Sequence, residues 1–315
     1  MILLLRTMLF VMLMALSVAL FSCKGGMDDE RHEAVKFLPL ETVRRLVKEN
    51  RQFTEGRPAG GMPSSAEFKA IQDRGHIVFA MVAHDQKPFF YKDEETEELT
   101  GLDVEIGYAI ANRLEVAAVF NRDAVTFDGV IMKVAEGEAD IALSKLSVTS
   151  RRAELVRFTK PYFTFRQALL VNRLEFAKIG PEQQLPRFIK NFRGTIGVLN
   201  NTSYVNFAPI NFPAAEVKPF AIWNEAIDAL FAGELLAIYR DEGEILIVNA
   251  TRKDASILTK PIIIGDKRDP LAMAVSVDAP MLQNWLNVFL DEYLLENHSK
   301  LTPSRLIERH FSFGN

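Results

Sequence analysis

The residue types that most often carry chemistry are thinly spread along this chain. Five histidines, His32, His76, His84, His298 and His310, show no metal-ligand spacing, and none has a cysteine partner, because Cys23 is the only cysteine. A zinc or other structural metal site therefore has no support in the residues. The phosphate-cradling GxGxxG and GxxxxGK(S/T) runs, the HExxH pair and the GxSxG elbow are all missing. Acidic pairs at Glu94/Glu98 and Asp241/Glu242 could serve acid–base work, yet nothing in the sequence brings a second catalytic group to either. No catalytic residue and no cofactor is thus expected. The chemistry that remains is the recognition of a small charged molecule.

Length and charge narrow the class. At roughly 150 residues per domain, 315 residues suggest about two lobes. Lys plus Arg total 37 against 41 for Asp plus Glu, a net charge of −4 that gives neither nucleic acid nor an anionic membrane surface an electrostatic claim on the bulk of the chain. With one cysteine, no intramolecular disulfide can form.

The amino terminus has a different composition. Residues 1–22 carry one charge, Arg6, and an apolar run from Met8 to Phe21 interrupted only by Ser17. This reads as a secretory signal peptide, and its stretch from Thr7 to Ser22 falls short of the roughly 20 residues that a spanning helix needs. Cys23 stands directly behind it, with Leu20 at −3 and Ser22 at −1, and this setting resembles the lipobox of bacterial lipoproteins. The resemblance implies a diacylglycerol- and palmitate-bearing Cys23 as the mature amino terminus, anchored to a bacterial membrane and extracytoplasmic, in the periplasm or on the cell surface. Residues 23–75 are expected to form a polar tether, with a possible helix at Leu38–Phe53 followed by Gly56, Pro58, Gly60, Gly61 and Pro63, which punctuate a linker.

From His76 onward, short β-branched or apolar runs alternate with helical patterns. His76–Met81, Ala117–Phe120, Ala139–Leu143, Ala168–Val171, Thr195–Leu199, Leu236–Tyr239 and Leu271–Val277 are predicted strands. Helical spacing predicts helices through Leu102–Leu114, Asp128–Ala135 and Glu225–Phe231, and over Pro280–Leu295, where Leu282, Trp285, Leu286, Phe289 and Tyr293 form one core-facing stripe. Strands that alternate with helices predict an α/β fold rather than a β sandwich.

An ordered set of short motifs sharpens this. Pro88-Phe89, Gly101-Leu102-Asp103-Val104, Phe127-Asp128-Gly129-Val130, Gly137-Glu138-Ala139-Asp140-Ile141, Ser147-Val148-Thr149-Ser150-Arg151-Arg152 and Phe158-Thr159-Lys160-Pro161-Tyr162 are followed by Thr195-Ile196-Gly197-Val198-Leu199-Asn200-Asn201-Thr202-Ser203 and by Ala232-Gly233-Glu234 leading to Tyr239-Arg240-Asp241. In this order and spacing the chain resembles the polar-amino-acid family of bacterial extracellular solute-binding proteins, the receptors of ABC importers. The resemblance implies a two-lobed periplasmic-binding-protein-like fold, with a two-strand hinge and a ligand cleft between the lobes. Lobe 1 would comprise residues 76–168 plus 271–315 and lobe 2 residues 169–270, with crossings near Gln167–Val171 and Leu271–Val275.

The resemblance also implies a ligand set. Arg152, behind Thr149, matches the arginine that grips the ligand α-carboxylate, a task for which a guanidinium fork is suited. Asp241 matches the acid that takes the α-ammonium. Ser144, Ser147, Thr202 and Ser203 match hydroxyl positions around the ligand backbone, and Phe127 matches the aromatic that stacks on its stem. The sequence departs from basic-amino-acid receptors at Ala83 and Gln86. Lys145 and Arg240 would add positive charge near the distal end of the ligand. The function expected is capture of an amino acid, polar or acidic in preference to basic, for delivery to an ABC permease by a monomeric, lipid-anchored, non-enzymatic receptor that binds no nucleic acid. A ligand sensor without transport and a dehydratase-type enzyme on the same fold stay open as alternatives.

Overall fold

The computed structural model describes residues 65–178, 191–297, 301–303, 305 and 306; the predicted signal peptide, Cys23 and the Leu38–Phe53 helix lie outside the described residues. Eight strands form one hydrogen-bonded sheet. In chain order they are β1 (His76–Val82), β4 (Ala117–Ala124), β5 (Ile141–Ala142), β6 (Val156–Asn172), β7 (Thr195–Leu199), β8 (Glu216–Phe220), β9 (Ala237–Asp241) and β10 (Thr259–Ser276). Their spatial order is β4-β1-β5-β10-β6-β9-β7-β8, and β2 (Tyr91–Lys92) pairs with β3 (Leu99–Thr100) apart from them. The mixed α/β prediction holds, with β1 parallel to β4 and β5 in one lobe and β7 parallel to β8 and β9 in the other.

The two long strands β6 and β10 run antiparallel and belong to both lobes. Ala274 of β10 pairs with Ala142 of β5 in the first lobe, whereas Gln167–Val171 of β6 pairs with Asp241–Ala237 of β9 in the second. The handover lies between these stretches, where the β6–β10 register slips between Ile264 and Arg268. Gln167 Nε2 donates to the Arg268 carbonyl there at 3.0 Å. On β6 the handover lies just before Gln167 and on β10 just before Leu271, next to the stretches Gln167–Val171 and Leu271–Val275 named from sequence. A bulge supplies the local bend that passes a strand from one lobe to the next.

Burial explains the apolar strands. In β6, Ala168 and Leu170 pack into one cluster with Ala226, Leu230 and Ile238, while Leu169 and Val171 pack into another with Ile196, Phe212 and Tyr239. Alternate residues of one strand thus enter cores on opposite faces, so the strand is apolar at every position. The first lobe has its own core, in which Phe79, Met81, Ile106, Val130 and Met273 are all but inaccessible to solvent.

The helices are α1 (Ala66–Arg74), α2 (Leu102–Arg113), α3 (Phe127–Ala135), α4 (Ser150–Ala153), α5 (Arg173–Ala177), α6 (Tyr204–Asn211), α7 (Trp223–Phe231), α8 (Glu242–Thr251), α9 (Ala255–Leu258) and α10 (Pro280–Asn297) among the described residues. The α10 stripe packs as predicted, with Leu282, Leu286 and Phe289 buried and Trp285 and Tyr293 partly so. The tether prediction is corrected at its end. Residues 66–74 form α1, which buries Ile71, sets Phe68 edge-on to Trp285 at 6.0 Å and uses the Glu67 carboxylate to accept the Leu282 N–H at 2.7 Å. An acid at the start of α10 satisfies amide groups that no helical carbonyl reaches.

Candidate functional site

Three site residues are presented by the starts of helices. The Thr149 hydroxyl accepts the Arg152 N–H at 3.3 Å and nucleates the single turn α4, which holds Arg152 in the cleft wall. The Thr126 hydroxyl caps α3 in the same way through Gly129, directly before Phe127. Asp241 Oδ1 accepts the Glu244 N–H at 3.0 Å and caps α8. Short polar side chains at these positions satisfy amides that would otherwise be orphaned at a helix start. Gly243 lets α8 begin this close to the crossing, since a Cβ there would stand 2.9 Å from the Phe165 ring.

These elements converge on one inner cavity. It is lined by Phe127, Lys145, Ser147, Arg152, Thr202, Ser203, Tyr204, Arg240, Asp241, Asp269 and Leu271 and encloses about 20 Å³, room for about one water. Seven of the eight ligand residues read from sequence line it. Ser144 does not: it is fully buried, and its hydroxyl accepts the Val82 N–H at 3.0 Å, which ties the β5 exit to β1. Through Phe127, Thr202 and Arg240 the inner cavity adjoins an outer one of about 630 Å³, whose wall includes His84, Gln86, Val125, Ile222 and Trp223.

Arg152 is 6% exposed. Its Nε donates to Asp128 Oδ1 at 2.9 Å and its Nη1 to the Ser147 carbonyl at 3.1 Å, two bonds that aim the guanidinium. Asp128 is itself 55% exposed, so solvent weakens its hold on the arginine charge.

Lys145 holds a different place from the one expected of it. Its backbone is left-handed, with φ at 50°, and its N–H donates to the buried Asp103 Oδ2 at 2.7 Å. A non-glycine residue at such a φ is held by its surroundings. The side chain passes the buried rings of Phe89 and Phe165, with Nζ 5.4 and 5.5 Å from their centroids, and reaches across to the second lobe. There Nζ lies 3.2 Å from Asp241 Oδ2 and 2.9 Å from Glu244 Oε1. Burial alone would lower the ammonium pKa, but Asp241 and Glu244 outweigh it and raise it. Glu244 responds in the opposite sense: burial favours its neutral form, yet Lys145 and Arg240 hold its carboxyl at about 2. Arg240 stacks over Trp223 at 5.1 Å with Nη2 3.6 Å from Glu244. Lys145 and Arg240 are thus paired with Asp241 and Glu244 within the protein.

A second bond crosses the cleft where Ser203 Oγ donates to Ser147 Oγ at 2.9 Å. Thr202 turns its hydroxyl back to the Leu199 carbonyl at 2.7 Å. Phe127 stands edge-on to His84 at 6.0 Å, and burial, with Arg240 and Arg122 nearby, lowers the His84 pKa. The inner cavity has room for no more than about one water, so a larger ligand would enter only with the lobes parted, in exchange for some of the contacts that span the cleft.

A model of the bacterial extracellular solute-binding proteins, family 3, matches residues 78–301. The chain belongs to that family. By the family's description it is an extracytoplasmic binding protein, and no described helix is long and apolar enough to cross a membrane. This family-3 chain is 28% identical over 220 residues to the ABC transporter glutamine-binding protein GlnH of Bacillus subtilis, a match covering 67% of this chain and 77% of that one. It is 29% identical over 155 residues to the arginine-binding periplasmic protein of Mannheimia haemolytica, covering 49% of this chain but only 59% of that relative. Among solved structures it is similar to the ancestral amino acid-binding protein AncCDT-1, a precursor of cyclohexadienyl dehydratase, with a TM-score of 0.60, 25% identity, and 78% and 99% of the two chains covered. It also shares the fold of AbpA from Streptococcus pneumoniae bound to L-arginine, with a TM-score of 0.61, 21% identity, and 78% and 100% covered. The amino-acid-binding ABC receptor class expected from sequence is therefore the class of the relatives.

Sequence reasoning did not single out Tyr204, Glu244, Asp269 or Leu271. Asp269 sits in the charged run Asp266-Lys267-Arg268-Asp269, which reads as an ordinary solvated turn. Only its place just before the apolar run Leu271–Val275 hints that it enters a core.

Proposed function

We propose that this family-3 protein captures a neutral polar amino acid and delivers it to an ABC permease. The observation that carries this reading is the buried Arg152 guanidinium in a hydroxyl-lined cavity at the junction of two lobes, where a carboxylate can be met by charge-assisted hydrogen bonds. The balance of Lys145 and Arg240 against Asp241 and Glu244 supports an uncharged side chain. An acidic side chain would find no surplus cation, and a basic one would face two cations already in the wall. Glutamine, named for the B. subtilis relative, fits that balance. The Cys23 setting supports membrane tethering of the mature protein by acyl chains.

A thermal-shift screen of the proteinogenic amino acids tests the reading. A ligand at a hundredfold excess over its Kd stabilises by about 2.7 kcal/mol, a rise of roughly 5–10 °C for a body of this size. The expected outcome is such a rise with a neutral polar amino acid, recovered chemically unchanged afterwards. Absence of a shift with every amino acid, or turnover of the one that binds, would refute the proposal. Cys23→Ala is expected to abolish palmitate labelling; retained labelling would refute the anchor alone.

A further inference from the structure

The two aspartates that line the inner cavity stand in opposite conditions. Asp241 has both oxygens engaged within the protein: Oδ1 accepts the Glu244 N–H at 3.0 Å, and Oδ2 lies 3.2 Å from the Lys145 ammonium and 3.9 Å from Arg240 Nε. The cation at Asp241 is thus the protein's own. When the lobes part, Asp241 is released, but on closure the tethered Lys145 returns at high effective concentration and competes with any ammonium the ligand brings. A ligand ammonium placed there would also stand against the like charges of Lys145 and Arg240.

Asp269 has no such rival. It is 2% exposed, on β10 at the crossing, opposite Phe165 in the strand register. Its Oδ2 accepts the Tyr204 hydroxyl at 2.9 Å, while Oδ1 is buried and makes no hydrogen bond. Burial, then the charge of Asp241, push its carboxyl up to about 6, against the pull of the Ser147 and Tyr204 hydroxyls and of Lys145; the Ser147 hydroxyl is near enough to ease the charge without meeting Oδ1 in hydrogen-bonding geometry. A buried carboxylate with one open oxygen is costly until a donor reaches it, and a cationic donor suits it best. Its place at the crossing keeps it close to the hinge, where opening displaces residues least.

We infer that Asp269, rather than Asp241, receives the α-ammonium of the bound amino acid, with Arg152 on its carboxylate. Asp241 then acts as a positioning residue that holds Lys145 and caps α8. This inference rests on the amino-acid reading above, and the experiment separates the two. Calorimetry compares the amino acid that binds wild type most tightly with its des-amino analogue, which for L-glutamine is glutaramic acid, on wild type, Asp269→Asn and Asp241→Asn.

Wild type is expected to prefer the amino acid strongly. Asp269→Asn should weaken the amino acid at least 30-fold while leaving the analogue within about threefold, because the charge removed faces only the ammonium. Asp241→Asn should leave the ratio of the two affinities within about threefold of its wild-type value. The inference is overturned if Asp269→Asn keeps the wild-type preference, if Asp241→Asn abolishes it instead, or if Asp269→Asn loses both ligands alike, which would make Asp269 structural. Failure of wild type to bind any amino acid would sink the amino-acid reading first, and this inference with it.

Discussion

The Lys145 ammonium, carried by the first lobe, lies 3.2 Å from Asp241 Oδ2, carried by the second. A cation–anion pair spans the cleft from within the protein, and both partners are buried. Two buried charges of opposite sign are tolerable only together, so each depends on the other for its cost of desolvation to be met.

That dependence predicts the behaviour of Lys145→Met. The variant keeps the length and apolar stem of the side chain but leaves Asp241 and Glu244 without their shared cation, and a loss of about 3–5 kcal/mol in folding stability is expected. Adding Glu244→Gln removes one of the stranded acids, so the double variant should be less destabilised than Lys145→Met. Urea denaturation measures both. A single variant as stable as wild type would mean that the pair contributes nothing to closure.

Arg152 makes the opposite kind of contribution. Its intramolecular partners are a solvent-exposed Asp128 and one backbone carbonyl, so Arg152→Ala strands little within the protein but leaves a bound carboxylate unpaired. Affinity is expected to fall by about 2–5 kcal/mol, or roughly 30- to several-thousandfold, with a small change in stability. A calorimetric Kd within about threefold of wild type would remove Arg152 from the site.

Thr149 is a gentler probe of the same contact. Its hydroxyl caps the four-residue α4 at the Arg152 N–H, and such a cap is worth about 1 kcal/mol. Thr149→Ala should therefore weaken ligand binding by less than about tenfold, in between wild type and Arg152→Ala. An effect as large as that of Arg152→Ala would mean that the threonine itself meets the ligand.

The raised pKa of Asp269 makes stability depend on pH in a defined sense. Its carboxyl titrates near 6 in the fold against an ordinary 3.8. Between about pH 4 and pH 6 the native state therefore holds more protons than the unfolded chain, and stability falls as pH rises through that window. Asp269→Asn lacks this loss. Without ligand, the stability of the variant relative to wild type should improve from about pH 4 to about pH 6 and level off above it. Asp103, pushed up to about 7 by burial, and Glu244, held at about 2, act in both proteins and cancel in the difference. A flat difference across the window would show that Asp269 is not a buried, unpaired acid.

The same physics separates what was legible in the residues from what was not. The strands Thr195–Leu199 and His76–Val82 and the α10 stripe follow from local apolar periodicity, which burial on a sheet or a helix face reproduces directly. The ordered motifs brought Arg152, Ser147, Phe127, Thr202, Ser203 and Asp241 to one cavity, because each sits at a strand end or helix start whose local geometry the nearby residues specify. Ser144 stays out of the cavity lining for a local reason as well: one residue before the left-handed Lys145, its hydroxyl turns back to β1.

An α/β body of two lobes, the family and a buried Arg152 in the cleft wall could all be read from the residues alone, since local pattern and ordered motifs suffice for these. The charge accounting of the site had to wait for the folded chain. Lys145 and Asp241 are 96 positions apart in the sequence, and Asp269 lies in a run of charges that looks solvated. Whether such groups neutralise one another or wait for a ligand depends on distances of a few ångströms between lobes and on how deeply each is buried, and neither quantity is written in the order of the residues.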